Sequence, residues 1–251
     1  MKKQSIGNKK YWQSVIVIGI VLGLMVTATT AFAQDPKPGV FPPDEVVSGM
    51  TYGDWSAAWW QYVFSIPAPN NPLNDMTGQN CDLQQSSGPL FFLGGSWVGT
   101  VKRKCTVPAG KAIFFPIINV ECSSVEPTPF YCNDEAKCRA CAGAFADGID
   151  TSTLEATIDE VEVDALSSFR VQSPVFDFTL AKDTDKNNIL GVPPGKGKGF
   201  SVSDGYWLML APLSPGPGNH VIHFAGACRA GSLCEGFSQD VTYELTVTQG
   251  P

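Results

Sequence analysis

The sequence predicts an all-β-dominated fold: an antiparallel β-sandwich, jelly-roll or immunoglobulin-like, stapled by disulfides and carrying one or two short helices. About eight short runs have the alternating or continuously apolar pattern of strands, and Pro/Gly turns separate them. Strand and helix do not alternate as a parallel sheet would require. The 8 cysteines all follow a predicted export signal, and an even count in an exported chain is typical of disulfides.

The first 33 residues have the three parts of a secretory signal peptide. Four lysines lie within the first ten residues, and Val15–Val26 is an apolar run without charge. Ala31-Phe32-Ala33 then fits the small-x-small cleavage pattern. We therefore expect a bacterial protein that is secreted or periplasmic, with its signal peptide cleaved after Ala33. The alternative is an uncleaved N-terminal anchor.

Cleavage at Ala33 would leave one domain's length of chain, and it would change the formal net charge from −7 to −11, because the removed segment holds four lysines and no acid. Such an acidic chain is a poor partner for nucleic acid or for an anionic membrane surface. We expect neither as a partner, and no membrane association after cleavage. Residues 34–50, rich in Pro, predict an extended arm before a single domain at 51–251.

The cysteine spacing suggests two of the disulfides. Cys228–Cys234 fits a short loop staple, and Cys81–Cys105 fits a longer link. The pair Cys138-x-x-Cys141 could instead bind a metal, but no second such pair or nearby histidine completes a four-ligand set.

An amphipathic helix is predicted in the segment TYGDWSAAWWQYVFSIP. Thr51 and Asp54 have the spacing of a capping box, and Pro67 ends the segment. The apolar stripe is Trp55, Ala58, Trp59, Tyr62 and Val63. Such a stripe favours a helix that docks on the core and covers the sheet over an aromatic platform for sugar stacking.

The remaining elements follow in order. A second helix is predicted over Asn133–Phe145, with Asn133 as N-cap, and Pro116 predicts an edge or bulge in its strand. The predicted strands are Pro89–Leu93, Val98–Val107, Lys111–Asn119, Leu154–Val163, Phe169–Val171, Val175–Leu180, Tyr206–Leu213, His220–Ala225 and Asp240–Thr248.

Two of these runs, Tyr206–Leu213 and His220–Ala225, flank two successive Pro-Gly pairs. Pro and Gly supply the dihedrals of a chain reversal, so we expect these runs to pair as antiparallel strands. The second run holds both histidines of the chain.

Several strings resemble a group of uncharacterised exported bacterial proteins. They are WSAAWWQYVFSIP, NPLNDMTGQNC, VPAGKAIFFPIIN, SPVFDFTL and DGYWLMLAPLSPGPGNHVIHFAG. The resemblance covers residues 52–245 and implies a shared secreted, β-rich fold. It implies no activity, substrate or site residue.

The candidate catalytic residues are Glu121, Asp204, His220 and His223. Glu121 follows a buried strand, and a glycosidase-like mechanism would need a partner carboxylate such as Asp204 or Glu126. His220 and His223 are three residues apart, so in a strand they face opposite sides and cannot share a metal without a bulge. Each could be a catalytic acid or base, or simply a hydrogen-bonded structural histidine.

Asp183, Asp185 and Asn187 alternate oxygen ligands as calcium loops do, although the glutamate of an EF-hand is missing. A structural calcium is the one cofactor that the sequence suggests, and a solvated turn is the alternative.

The functional expectation is a secreted β-sandwich that binds an extracellular ligand, a glycan or a protein. The alternatives are a polysaccharide hydrolase or lyase that uses the carboxylates and histidines above, and a structural envelope or assembly subunit. The oligomeric state stays open.

Overall fold

The structure, a computed structural model, describes residues 39–181, 188–193, 195–216 and 219–249. Within these residues two five-stranded sheets form a disulfide-stapled β-sandwich with two α-helices, which confirms the predicted fold class. The helices are α1 (Tyr52–Ser65) and α2 (Glu135–Ala146), with 3-10 turns at Ala68–Asn70 and Leu166–Phe169. The strands are β1 (Leu90–Phe92), β2 (Thr100–Pro108), β3 (Ala112–Ser123), β4 (Ile149–Ile158), β5 (Val161–Glu162), β6 (Arg170–Gln172), β7 (Phe176–Thr179), β8 (Lys198–Leu210), β9 (His220–Cys228) and β10 (Ser238–Thr248).

The first sheet has the order β1-β3-β8-β6, with β7 also paired to β8, and the second has the order β2-β10-β9-β4-β5. Most neighbours are antiparallel, as predicted, but β1 pairs with β3 and β2 pairs with β10 in parallel. Periodicity could not reveal these two pairs, because side chains alternate faces in the same way in both kinds of ladder.

The two sheets differ in how many faces they bury. The strands β3 and β8 are buried along most of their length, because α1 covers one face of the first sheet while the second sheet and α2 cover the other. Phe115 and Phe224 meet between the sheets with ring centroids 4.8 Å apart. Strands β2 and β10 alternate buried and exposed residues, as in a sheet with one solvated face.

Helix α1 confirms its prediction, including the cap. Thr51 and Asp54 form the capping box, with the Asp54 amide donating to Thr51 Oγ1 at 3.2 Å. Trp59 is fully buried, lies 5.3 Å from Trp207 between ring centroids, and donates its indole N–H to the carbonyl of Leu93 at 2.9 Å. The aromatic stripe therefore belongs to the core and is no open platform.

The predicted hairpin between Tyr206–Leu213 and His220–Ala225 is wrong. β8 ends at Leu210 in the first sheet, whereas β9 begins at His220 in the second. The connection is longer than the two to about five residues of a common hairpin loop, and it carries the chain from one layer of the sandwich to the other.

The single strand predicted over Leu154–Val163 is two strands. β4 and β5 are joined by Asp159 and Glu160, which have φ angles of 49° and 68°. Positive φ at both central residues is the conformation of a type I′ hairpin, which the alternation of LEATIDEVEV conceals because the apolar pattern continues through the turn.

Strand β3 runs further than predicted. Its register against β8 shifts between Pro116 and Ile118, which confirms the bulge expected at Pro116. It then continues to Ser123, so Glu121 lies inside the strand and not at the start of a loop.

Helix α2 begins one residue later than predicted. Asp134, not Asn133, is the N-cap, and its carboxylate accepts from the Lys137 amide at 2.8 Å. The disulfides Cys81–Cys105 and Cys228–Cys234 are both present, and Cys122–Cys141 and Cys132–Cys138 join α2 to β3 and to the loop between them.

The described part of the proposed arm, residues 39–50, lies against the domain. The Phe41 amide donates to Met209 O at 2.9 Å, and the Ala211 amide donates to Gly39 O at 2.7 Å. These bonds place residues 39–41 beside the end of β8.

Candidate functional site

A cavity of about 450 Å³ lies along one edge of β3, bordered by α1, α2 and the start of the loop after β9. Its walls are mainly apolar and aromatic. The aromatic lining residues are Trp60, Trp97, Phe130, Phe145 and Phe237. Trp97 and Leu233 are 42% and 63% exposed, so the cavity has an apolar rim that solvent reaches.

Two carboxyl groups of the cavity, those of Glu121 and Glu126, interact with each other. Glu121 is 5% exposed and accepts a hydrogen bond from the Ser201 hydroxyl. Glu126 accepts from the Ser123 hydroxyl at 2.8 Å. Burial raises the pKa of Glu121 well above its usual value, and the charge and hydrogen bond of Glu126 raise it further. Glu121 therefore keeps its proton at pH values where an isolated glutamate has lost its own.

Two buried polar atoms on cavity-lining residues have no hydrogen-bond partner among the described residues. One is the indole nitrogen of Trp60, a side chain that is 3% exposed, and the other is Oδ1 of Asn119. An unpaired buried donor or acceptor costs about 1–3 kcal/mol, so such groups need an explanation. Here both lie on residues that line a space large enough for a ligand.

Asp204 lies on β8, but its side chain faces α2 and is absent from the cavity wall. It pairs with Arg170 at 2.9 Å and accepts from Gln172 Nε2 at 3.1 Å. The structure therefore does not bring Asp204 together with Glu121 around one open space.

Neither histidine lines the cavity. His220 lies 2.6 Å from an Asp159 oxygen through Nδ1 and 2.9 Å from the Ser214 carbonyl through Nε2. His223 contacts Asp240 at 3.0 Å. The predicted set of Glu121, Asp204 and a histidine is thus not assembled, whereas the alternative partner Glu126 does lie beside Glu121.

No group of three or more His, Cys, Asp or Glu is placed to hold a metal within the described residues. Cys138 and Cys141 are in different disulfides, so this pair offers no thiolates. The proposed calcium ligands Asp183, Asp185 and Asn187 lie outside the described residues.

Sequence reasoning missed Trp60 and Asn119. Trp60 lies beside the predicted aromatic stripe, and this offset from the stripe was the available signal for a position at the cavity. Asn119 gave no signal, because a polar residue late in an apolar run also marks an ordinary strand end.

Comparison with known proteins found no matching family model, no matching curated protein and no matching solved structure. Within the described part of the chain, no helix is long and apolar enough to cross a membrane.

Proposed function

We propose that this protein is exported, that its signal peptide is cleaved after Ala33, and that the mature protein binds an extracellular ligand in the cavity beside β3. The observation that carries the proposal is the presence of the unpartnered Trp60 N–H and Asn119 Oδ1 on residues that line an open, largely apolar space. A ligand with hydrogen-bonding groups would satisfy atoms that the chain itself leaves unpaired.

The charge of the lining supports a particular kind of ligand. Its titratable residues are Glu121, Glu126 and Glu235, and the described lining contains no Lys, Arg or His. An acidic, aromatic cavity favours ligands with apolar surface together with hydroxyl, amide or cationic groups. Glycans and polypeptides both satisfy that description.

The test is binding of the full mature protein to a mixed array of oligosaccharides and peptides. Leu233→Lys removes apolar surface from the rim of the cavity and places a positive charge there. We expect it to weaken the binding of apolar and cationic ligands by at least about tenfold. Met76→Lys is the matched control, because Met76 is also exposed, at 53%, but lies outside the cavity lining. Binding that both variants retain equally would refute the proposal.

The carboxyl pair supports a second candidate, a polysaccharide-acting hydrolase. In that reading Glu121, which keeps its proton, is the general acid, and Glu126 is the second carboxylate. Turnover of a polysaccharide panel by the wild type, lost in Glu121→Gln and kept in His223→Ala, would establish it. Binding without turnover in the wild type would favour the first proposal.

A further inference from the structure

We propose that the ligand is an extended polypeptide segment of another protein, which adds a short strand to the open edge of β3 at Asn119 and Glu121. This inference rests on the proposed function and names its ligand class. It follows from the backbone of β3, the two ends of the open edge and the chemistry of its two faces.

The backbone groups of Asn119 and Glu121 point away from β8. Ser123, two residues after Glu121, donates its amide to Phe130 O and accepts from the Cys132 amide, both at 3.0 Å on the side away from β8. Since backbone direction alternates along a strand, Glu121 and Asn119 face the same side as Ser123.

The hydrogen bonds of β8 show independently that the backbone groups of Asn119 and Glu121 point away from β8. Ser203 is opposite Glu121 in the register, and its amide and carbonyl are bonded to Ser173 on the far side of β8. The Glu121–Ser203 pair is therefore a non-hydrogen-bonded pair of the antiparallel ladder. The N–H and C=O groups of Asn119 and Glu121 have no backbone partner among the described residues.

The open edge is short and closed at both ends. β1 covers β3 only as far as Phe114, and the Gln239 side chain then donates to the carbonyls of Pro116 and Ile117. At the other end Tyr131 bridges to Ser123. Residues 118–122 remain, which matches a ligand strand of about five residues, since each pairs with one opposite it.

The two faces of the edge predict the ligand's side chains. Asn119 and Glu121 share one face, where the carboxyl groups favour a basic or amide side chain. Ile118 and Val120 share the other face, and Val120 packs against the buried cluster that contains Phe145. A peptide that alternates apolar and basic residues satisfies both faces, whereas a glycan would leave the alternating backbone donors and acceptors without a matching repeat.

The experiment measures binding of the full mature protein to an array of N-acetylated, C-amidated pentapeptides. The odd positions carry Val, Leu or Phe, and the even positions carry Lys, Arg, Gln or Glu. We expect Lys and Arg peptides to bind at least about tenfold more tightly than the matched Glu peptides. Glu126→Gln should reduce that preference, because it removes the second carboxyl of the pair. Glu135→Gln, an exposed change on α2, should keep it.

N-methylation of the best peptide tests strand addition itself. Only every second residue of an added strand turns its N–H toward β3. Methylating one alternate set should weaken binding by at least about tenfold, while methylating the other set should have little effect. Loss of binding on methylation at the basic positions indicates antiparallel addition, because there the ligand residues that bond to Asn119 and Glu121 lie directly opposite them and share their face. Loss of binding on methylation at the apolar positions indicates parallel addition, because there the bonded residues are the neighbours of the opposite ones.

The outcomes separate this inference from the proposed function. Equal effects of the two methylated sets overturn strand addition. Binding of chitin or cellulose oligosaccharides but of no peptide, still weakened by Leu233→Lys, overturns the peptide ligand and keeps the proposed function. Failure of every probe overturns both. If the free protein sediments as a dimer and peptides bind only its monomer, a second copy is the occupant and the proposal falls.

Discussion

Arg170 and Asp204 form two parallel hydrogen bonds, Nε to Oδ1 at 2.9 Å and Nη2 to Oδ2 at 3.2 Å. The Asp204 side chain is 6% exposed and the Arg170 side chain is 30% exposed. Arg170 also reaches Asp147 at 2.7 Å. The pair thereby ties β6 and β8 to the end of α2, and it accounts for a buried carboxylate that the sequence suggested as catalytic.

Removing the arginine should leave this carboxylate without its cation. We expect Arg170→Met to lower the free energy of unfolding by about 2 kcal/mol, less than for a fully buried pair because the guanidinium is partly solvated. Lys102→Met breaks an exposed pair with Glu244 and should lower the free energy of unfolding much less, because solvent screens that pair. Urea denaturation of both variants checks this prediction. Equal losses of unfolding free energy would mean that the burial of Asp204 does not strengthen its pair with Arg170.

Glu121 should reduce the stability of the ligand-free protein above acidic pH. Its pKa is raised in the folded state, so ionisation is easier in the unfolded chain, and stability falls as pH rises above the unfolded value of about 4.3. Glu121→Gln lacks this ionisation and can still accept from Ser201. We expect the variant to melt at a higher temperature than the wild type at pH 7, with the gap shrinking toward pH 4. A variant less stable than the wild type at pH 7 would contradict this.

The contacts of His220 should stabilise the folded protein, most strongly at low pH. Burial disfavours the charged imidazole, but the hydrogen bonds to Asp159 and to the Ser214 carbonyl outweigh it and raise the pKa. Its stabilisation is therefore complete below the unfolded value of about 6.5 and declines as pH rises through the folded value. The stability difference between wild type and His220→Asn, measured from pH 5 to 8.5, should shrink with rising pH. A stability difference that stays constant or grows with rising pH would show that the charged imidazole does not stabilise the fold.

Local signals in the sequence predicted the features that depend on neighbouring residues. The Thr51–Asp54 capping box, the Cys228–Cys234 staple and the bulge at Pro116 each need only a few consecutive residues to form. The buried aromatic face of α1 followed from helical spacing alone. Each of these depends on local geometry or on the alternation of apolar residues.

Non-local pairing could not be predicted in the same way. The Pro-Gly pairs favoured a reversal between β8 and β9 but could not decide whether the next strand joins the same sheet or the other. Likewise, the predicted catalytic set of Glu121, Asp204 and a histidine was chosen by residue type, without knowledge of which side chains meet. The structure instead places Glu126 beside Glu121 and pairs Asp204 with Arg170.

The sequence by itself determined a β-rich sandwich with a capped aromatic helix and an even set of oxidised cysteines, because periodicity and composition encode local conformation and burial. Only the tertiary structure decided which strand edge stays open and which polar atoms stay unpaired. These properties depend on what lies across a sheet or a layer from each residue, and that neighbour comes from a distant part of the chain.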